Sequence, residues 1–467
     1  MTRPDPADWS ALWRPPHLAP VAMLSLGIGL YAFNTFLVAA ALPSAVLEIG
    51  GAALYAWAST LFLVSAIVGG AGGAALKARL GARGGLLLGG AAFLAGTLAC
   101  GLAPAMPVLL LGRALQGAGE GVVAAISYAL IPALFPQRLV VRVFAVEAVV
   151  WALAGFAGPV VGGLLTQAVS WRAAFLVNAP VALVFLALVL AVVKPALAGG
   201  VAVPAPLLRL AALGGGILLV ASSSLAGNVL AAAGLVTAGG AALALVVVLD
   251  RRRADSLLPR DAFRPGVALG AGLLVVLLMP VAHSFVLVHL TFALQQGWGF
   301  SPTAAGAMFA LGPMAWSGAM LVVANIRHPG MAAFGIRYGP VLLGIGIAGQ
   351  LAAVLAGAPW AMLPFLAATG AAFGIGWAFL SVAVMQAAGP GERDRAAGLV
   401  PTAQSAGYAI GAALAGLAAS AAGLDGSTAT GTARGYAVVV ACGLAPAALA
   451  IWVALRRREW PGAGRAD

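Results

Sequence analysis

The chain has 467 residues, of which 62% are hydrophobic and 8% are charged, whereas an ordinary soluble domain carries about 25% charged residues. This composition excludes a water-soluble globular protein and predicts an integral membrane protein. The net charge of +12 could indicate nucleic-acid binding. However, the basic residues are dispersed along the chain and not collected on one domain. We therefore expect no nucleic-acid partner and attribute the charge to membrane topology.

Apolar stretches of about 20 residues, the length with which a helix crosses roughly 30 Å of hydrocarbon, recur along the whole chain. Fourteen spans are predicted, and the division between the seventh and the eighth depends on a turn at Gly227 and Asn228. The predicted spans are 21–43, 53–73, 84–103, 107–134, 142–167, 173–193, 207–226, 229–249, 267–292, 303–325, 338–356, 359–387, 397–423 and 435–456.

The basic residues give an independent test of the order of the spans. All but three of the 25 Lys and Arg residues fall in the termini and in alternate loops, the exceptions being Arg113, Arg172 and Arg434. The positive-inside rule then predicts that both termini are cytoplasmic and that the number of crossings is even. The first apolar run is longer than a signal-peptide core, so we expect a retained span.

Several classes of chemistry find no support in the sequence. Cys100 and Cys442 lie within apolar spans, and neither the cysteines nor the four histidines show metal-binding or redox spacing. No phosphate-binding G-x-x-x-x-G-K-[ST] segment occurs, and no polar stretch is long enough to hold a nucleotide-binding domain. We therefore expect a protein that is not an enzyme and has no metal or other cofactor.

The fifth span contains an unusual concentration of glycine, "AGFAGPVVGG" at 154–163. Gly158 and Gly162 lie on one helix face, where small residues let neighbouring helices approach closely. Pro159 cannot donate a hydrogen bond to the carbonyl of Gly155, so the helix can bend there. The pattern predicts a thin, bendable helix, with ordinary close packing as the alternative.

These residues resemble the major facilitator superfamily. "GPVVGG" is similar to its antiporter motif, G-x-x-x-G-P-x-x-G-G, at Gly158, Pro159, Gly162 and Gly163, with Ala154 in place of the first glycine. "RALQGAGEG" resembles the family's fourth-helix motif, R-x-x-Q-G-x-G. "NTFLVAAALPSA", "WRAAFLVNAP", "QQGWGFSPTAAG" and "AAGLVPTAQSAGYAIGAALAG" resemble segments of its fourteen-helix drug/proton antiporter branch. The resemblance covers nearly the whole chain.

Two departures from the family pattern affect the expected mechanism. The loop after the second span reads "AALKARLGAR", which keeps Arg79, Gly81 and Arg83 but has Ala78 where the family has an aspartate of the cytoplasmic gate. Asn34 stands where the branch has its first-helix aspartate. An asparagine cannot carry a proton, so proton coupling would have to use another residue.

The resemblance implies an all-α membrane protein with the major facilitator fold. We expect two six-helix bundles, 21–193 and 267–456, joined through an inserted helix pair, 207–249. The implied function is proton-coupled export of small amphipathic or cationic compounds across the inner membrane by alternating access, performed by a monomer. Two alternatives stay open: a dedicated exporter of one metabolite, or a transport-dead relative that acts as a sensor or scaffold.

The fourth span carries the strongest candidate for proton coupling. Arg113, Gln116 and Glu120 are spaced i, i+3 and i+7, which places them on one helix face. That face should turn to a polar interior, because a charged side chain facing lipid is costly. Burial disfavours the charged form of Glu120 and a nearby guanidinium favours it, so the carboxyl could exchange a proton. The alternative is a permanent Arg113–Glu120 ion pair that only fixes helix packing.

The remaining candidates are weaker. Glu147 is the only other acid well inside a predicted span, and we expect it to pair with Arg79, Arg83 or Arg142 at the cytoplasmic gate. His283 and His289 could each line the central cavity or be satisfied by a neighbouring carbonyl. The complete set of predicted cavity residues is Tyr31, Asn34, His283, His289, Trp377, Gln404 and Tyr408.

Overall fold

The computed structural model describes residues 12–195, 207–251, 258–324, 326, 330–389, 392–424, 426–457 and 460. Of the basic residues used to assign topology, Arg3, Arg252, Arg253, Arg327, Arg458 and Arg465 lie outside these residues. Within the described residues the regular structure is helical and there is no strand. The helices are α1 Leu18–Ile49, α2 Tyr55–Gly101, α3 Met106–Leu134, α4 Gln137–Ala168, α5 Trp171–Leu176, α6 Asn178–Val192, α7 Leu207–Ser222, α8 Val229–Arg251, α9 Ala268–Trp298, α10 Pro302–Ala324, α11 Met331–Leu355, α12 Leu363–Ala387, α13 Arg393–Ala421, α14 Ala429–Cys442 and α15 Leu444–Arg456.

Twelve stretches of the described residues are long and apolar enough to cross a membrane, so the predicted count of fourteen is not supported. The two predicted spans that fail are 207–226 and 397–423. The first corresponds to the apolar but shorter helical stretch Ala211–Leu225. In the second, α13 is long enough, but Thr402, Gln404 and Ser405 interrupt its apolar sequence.

The predicted loop between the second and third spans is almost entirely helical. Helical geometry continues on both sides of Gly81, and the break is at Gly81 itself, which has φ 71° and ψ 170°. The chain folds back there, since a Cβ on Gly85 would lie only 3.8 Å from the backbone nitrogen of Lys77. A positive φ of this kind is far easier for glycine than for any residue with a side chain, which explains why Gly81 occupies the turn.

Helix α3 is wedged between the two segments of α2, and its glycines allow the contact. A Cβ on Gly117 would lie 2.1 Å from the carbonyl oxygen of Phe62, and one on Gly121 would lie 2.1 Å from that of Ala66. On the other side of α3, a Cβ on Gly119 would lie 2.4 Å from the carbonyl oxygen of Gly89. These close approaches bring the polar face of α3 into the protein interior.

The glycine-rich segment of α4 lies between α1 and α10, and so between the two halves of the chain. Its Gly162 meets α1, because a Cβ there would lie 2.3 Å from the carbonyl oxygen of Leu37. Its Gly163 meets α10, where a Cβ would lie 2.5 Å from the carbonyl oxygen of Pro302. One face of this thin helix therefore packs within the first half, and the other face contacts the second half.

Polar contacts also join the halves at the end of the molecule opposite the basic loops. The hydroxyl of Thr291 on α9 donates to the carbonyl of Ala39 on α1 at 2.6 Å, and the Gln295 amide donates to the carbonyl of Ala40 at 3.1 Å. One hydrophobic cluster extends across both halves at this end. A separate cluster, which includes Val21 and Leu139, contains only residues of the first half near its basic end.

The pair α7 and α8 packs against the junction of the two halves. Ile217 of α7 clusters with Val64 of α2 and Ala409 of α13. At one end of the pair, Ser224 accepts a hydrogen bond from Trp57 at 3.2 Å and its carbonyl accepts one from Ser420 at 2.8 Å. At the other end, Arg209 forms a 2.7 Å ion pair with the buried Asp250.

Candidate functional site

The hydrogen bonds of the Arg113 guanidinium go to residues other than Glu120. Its Nη1 donates to Gln116 Oε1 at 2.8 Å and its Nε donates to the carbonyl of Ala58 at 3.2 Å. The ring of Phe62 lies 4.0 Å from its Cζ atom, a distance at which a buried cation is attracted to the aromatic face. Gln116 is oriented in turn by donating to Thr97 at 3.0 Å. Arg113 is thus held by the two segments of α2 that enclose α3.

Glu120 is buried, being 2% exposed, and neither of its carboxylate oxygens has a hydrogen-bond partner. The direct Arg113–Glu120 pair of the structural alternative is therefore not formed in this structure. Asn34 of α1 lies close enough to the carboxyl to interact with it, but its amide nitrogen makes no hydrogen bond of normal geometry. Its amide oxygen accepts from Asn178 Nδ2 at 3.5 Å. A carboxyl in such a place gains from binding a proton or from meeting a cation.

Aromatic side chains enclose this polar centre in the first half. The ring of Tyr31 stacks at 5.9 Å on Phe62, which also contacts Arg113, and meets Trp151 of α4 edge-on at 5.5 Å. Phe36 extends the group by contacting Trp151 and, across the interface between the halves, Phe309 of α10. Tyr31 and Trp151 are only partly buried.

A second aromatic group lies in the other half and includes three of the predicted cavity residues. Phe373 is at its centre, with its ring centroid 4.8 Å from that of Trp316, 5.9 Å from that of Trp377 and 5.2 Å from the imidazole centroid of His283. Tyr408 closes the group, with its hydroxyl 3.5 Å from His283 Nδ1. Trp316 and Phe373 were not among the predicted residues.

The structure places His289 apart from this second group. His289 stacks against Tyr55 of α2 at 5.2 Å and its Nδ1 has no hydrogen-bond partner. It borders a cavity of about 250 Å³ that is otherwise lined mainly by small residues of α2 and α13. Gln404 is half-buried on α13, one turn before Tyr408.

The structure places the predicted cytoplasmic gate residues on two helices, α2 and α4. Gly81 is the turn of α2, Arg79 is exposed and Arg83 is half-buried. Glu147 is buried on α4, where its Oε1 accepts a hydrogen bond from Ser25 of α1 at 3.1 Å and its Oε2 has no partner. The structure therefore does not show the expected pairing of Glu147 with an arginine.

Sequence reasoning also missed the residues that hold the site in place. Phe62, Thr97 and the carbonyl of Ala58 orient Arg113 and Gln116, but nothing in their spacing distinguishes them from ordinary helix residues. Asn178 could have been noticed, since it is the polar residue of the quoted segment "WRAAFLVNAP". A buried asparagine needs a polar partner, and Asn34 provides it.

Comparisons with known proteins support the reading of the motifs. The sequence profile described as Major Facilitator Superfamily matches residues 24–330. A probable multidrug-efflux transporter of Mycobacterium tuberculosis is 31% identical over 447 residues, which covers 92% of this chain and 93% of the relative.

Solved structures show the same architecture. A D-xylose-proton symporter aligns with a TM-score of 0.65 at 15% identity, covering 93% of this chain and 97% of the symporter. A peptide transporter crystallised with sulfate aligns with a TM-score of 0.68 at 15% identity, covering 94% of each chain. At these identities the likeness establishes the fold alone. Together with the sequence matches, it shows that this chain is a multi-pass membrane protein, a transporter and not an enzyme, and belongs to the Major Facilitator Superfamily.

Proposed function

We propose that this protein exports small amphipathic or cationic compounds in exchange for protons, with Glu120 as the proton-carrying residue. The observation that carries the proposal is a buried carboxyl near the middle of α3 whose two oxygens lack hydrogen-bond partners. Such a group is stable when protonated, and it exchanges its proton when a cation or water reaches it. The named function of the M. tuberculosis relative, multidrug efflux, supports export of this class of compound.

In this proposal Arg113 sets the environment of Glu120 without being its ion-pair partner. Its own hydrogen bonds to Gln116 and to the carbonyl of Ala58 keep the guanidinium in place in both protonation states of the carboxyl. Asn34, at the position where the drug/proton antiporter branch has an aspartate, then serves as a neutral neighbour whose unpartnered amide nitrogen can donate to the ionised carboxylate.

The substrate would bind between the two aromatic groups, one around Tyr31 and Trp151 and the other around Trp316, Trp377 and Tyr408. Partly buried aromatic faces suit flat apolar molecules and cations, which they attract by stacking and by cation–π interaction. The ionised carboxylate of Glu120 would add a preference for positive charge. One aromatic group lies on α1 and α4 and the other on α10, α12 and α13. Movement of one half relative to the other would therefore separate the two groups that bind the substrate.

The positions of the contacts between the halves support alternating access. The hydrogen bonds of Thr291 and Gln295 to α1 and the contacts of Gly163 with α10 lie at the end opposite the basic loops. With the basic loops in the cytoplasm, this arrangement corresponds to a state closed toward the outside. Outward release of substrate would require these contacts to separate, with the halves rocking about the central site.

We further propose that α7 and α13 also cross the membrane, which gives fourteen crossings in two six-helix bundles, 21–193 and 267–456, and an inserted pair, 207–249. Two contacts of the inserted pair support this. Its connecting turn at Ser224 bonds to Trp57 and Ser420 at one end of the molecule, and its Arg209–Asp250 ion pair lies at the other. Both termini would be cytoplasmic and the protein would function as a monomer in the inner membrane.

Reconstituted liposomes test the proposed function. With an imposed pH gradient, the wild-type protein should accumulate a cationic dye such as ethidium against its concentration gradient. The Glu120→Gln protein should lose this uphill transport but keep downhill exchange of labelled dye for unlabelled dye. Gradient-driven accumulation by a well-folded Glu120→Gln protein would refute the role of Glu120.

The same measurement decides between the proposal and its alternatives. A transport-dead sensor or scaffold, which Asn34 and Ala78 keep possible, would show neither uphill accumulation nor exchange in the wild-type protein. A dedicated exporter of one metabolite would not exchange chemically unrelated cationic dyes with one another.

A further inference from the structure

Glu147 is the other buried acid of the first half, and the proposed transport cycle gives it no role. It is 2% exposed, its Oε2 has no partner and its Oε1 accepts only a neutral hydroxyl hydrogen bond, from Ser25. A carboxylate that served only to neutralise an arginine would be expected to contact one. Glu147 is therefore, like Glu120, a buried carboxyl to which the described residues donate no charged hydrogen bond.

Among the described residues, few other ionisable groups surround Glu147. From α1 the contact is the Ser25 hydroxyl, and from α3 the titratable neighbour is Tyr128. Helix α10, which packs on another side of α4, carries no ionisable side chain between Pro302 and Ala324. On α4 itself, Arg142 lies more than one turn toward the basic end and has an interaction of its own.

Helix geometry gives the distance between the two acids along the membrane normal. Tyr128, the neighbour of Glu147, is eight residues beyond Glu120 on α3, which is about 12 Å at 1.5 Å per residue. Ser25, which bonds to Glu147, is nine residues before Asn34 on α1, which is about 14 Å. Two helices therefore independently place Glu147 roughly 13 Å from Glu120 toward the basic end of the molecule.

Hydroxyl groups occupy this interval. The ring of Tyr31 meets Trp151 edge-on at 5.5 Å, and Trp151 lies one turn beyond Glu147 on α4. Tyr128 lies about two turns beyond Glu120 on α3. Tyr128 is 38% exposed and Tyr31 is partly exposed. Phenol hydroxyls and water can both donate and accept, as passing a proton between two carboxyls requires.

We propose that Glu147 is a proton-relay residue that carries the proton between Glu120 and the cytoplasmic side, through Tyr31, Tyr128 and intervening water. This inference rests on the proposed function, since it needs Glu120 to release a proton when substrate binds. In each transfer one O–H bond breaks at the donor and one forms at the acceptor, and the proton finally leaves to bulk water. The step changes no oxidation state and needs no co-reactant.

Proton release by detergent-solubilised protein tests this relay. Ethidium is mixed with the protein in weakly buffered solution, and a pH-indicator dye reports the protons that appear. We expect Glu147→Gln to release as many protons as Glu120 supplies in the wild type, but at least ten-fold more slowly. Glu120→Gln should release none. Asp261→Asn, which changes an exposed acid paired with Arg264, is the matched control and should behave as the wild type.

A second variant separates relay from packing. Glu147→Ala leaves space for formate, a small weak acid that can take over proton transfer, so added formate should accelerate proton release several-fold in this variant and leave the wild type unchanged. A release rate of Glu147→Gln within two-fold of the wild type would overturn the relay. Slow release in Glu147→Ala that formate does not accelerate would also overturn it, because the defect would then be structural. Absence of proton release from the wild type would instead refute the proposed function itself.

Discussion

The partners of Arg113 predict that Glu120 can be neutralised at little cost in stability. In Glu120→Gln the side chain keeps its size, and the carboxylate oxygens that it replaces have no hydrogen bonds to lose. We therefore expect the free energy of unfolding to fall by less than about 1 kcal/mol, well below the 3–5 kcal/mol typical of breaking a buried ion pair.

Arg113→Gln should be far more damaging, because it removes three contacts together. Two are charged hydrogen bonds, to Gln116 and to the carbonyl of Ala58, each worth about 1.5–3 kcal/mol. The third is the contact with the Phe62 ring, worth about 0.5–2 kcal/mol. Part of this loss is recovered because a charge no longer needs to be buried, so we expect a net destabilisation of about 3 kcal/mol.

A double-mutant cycle measures whether the two residues are coupled. Unfolding of the wild type, both single variants and the double variant would be followed in mixed micelles of dodecyl maltoside and sodium dodecyl sulfate. We expect a coupling energy below about 1 kcal/mol, since no direct pair is formed. A Glu120→Gln loss of 3 kcal/mol or more that Arg113→Gln then restores would refute this reasoning and favour a structural ion pair.

Three further predictions concern packing, topology and gating. Gly162→Ala should destabilise the protein by about 1–3 kcal/mol in the same unfolding assay, because its Cβ would lie 2.3 Å from the carbonyl oxygen of Leu37. The control is Gly240→Ala, whose Cβ would meet nothing within 4 Å, and it should be neutral or stabilising. Reporter tags at the N-terminus, the C-terminus and in 251–264 should be cytoplasmic and tags in 295–301 and 425–433 external; an external 251–264 tag would contradict a double crossing by α7 and α8. Thr291→Val removes the hydrogen bond to Ala39, which is worth about 1 kcal/mol. It should raise at least two-fold the rate at which an external thiol reagent labels Phe36→Cys in a Cys442→Ala background. An unchanged rate would mean that Thr291 does not hold the outer side closed.

Helices that are marked by a long apolar stretch could be predicted from the sequence. Hydropathy and length correctly located twelve stretches that can span a membrane. The two predicted spans that are not supported, 207–226 and 397–423, have a local explanation. The apolar stretch of the first is short, Ala211–Leu225, and Thr402, Gln404 and Ser405 interrupt the apolar sequence of the second.

The polar face of α3 could also be predicted, because helix periodicity alone puts Arg113, Gln116 and Glu120 together. All three are buried. What periodicity could not give was the partner of each side chain. Arg113 turns to Ala58 and Phe62, which are more than 50 residues away in sequence, and no pattern in the chain marks a backbone carbonyl or one phenylalanine among 18.

For Glu147, too, the sequence did not indicate the partner of the side chain. The nearby arginines in the sequence suggested a gate ion pair, but the side chain points across the interface with α1 to Ser25, 122 residues away. A serine in an apolar span carries no sequence signal for such a role. Its importance follows only from the register in which α1 and α4 pack, which is set by contacts such as that of Gly162 with Leu37.

Proton movement driven by substrate tests the central claim most directly. Liposomes containing the protein and the pH-sensitive dye pyranine would be given an ethidium gradient with no imposed pH gradient, and the internal pH followed as ethidium moves. The wild-type protein should move protons in the direction opposite to ethidium, and Glu120→Gln should move ethidium without a pH change. A wild-type protein that moves ethidium with no change of internal pH, or a Glu120→Gln protein that still moves protons, would contradict the assignment of Glu120 as the proton carrier.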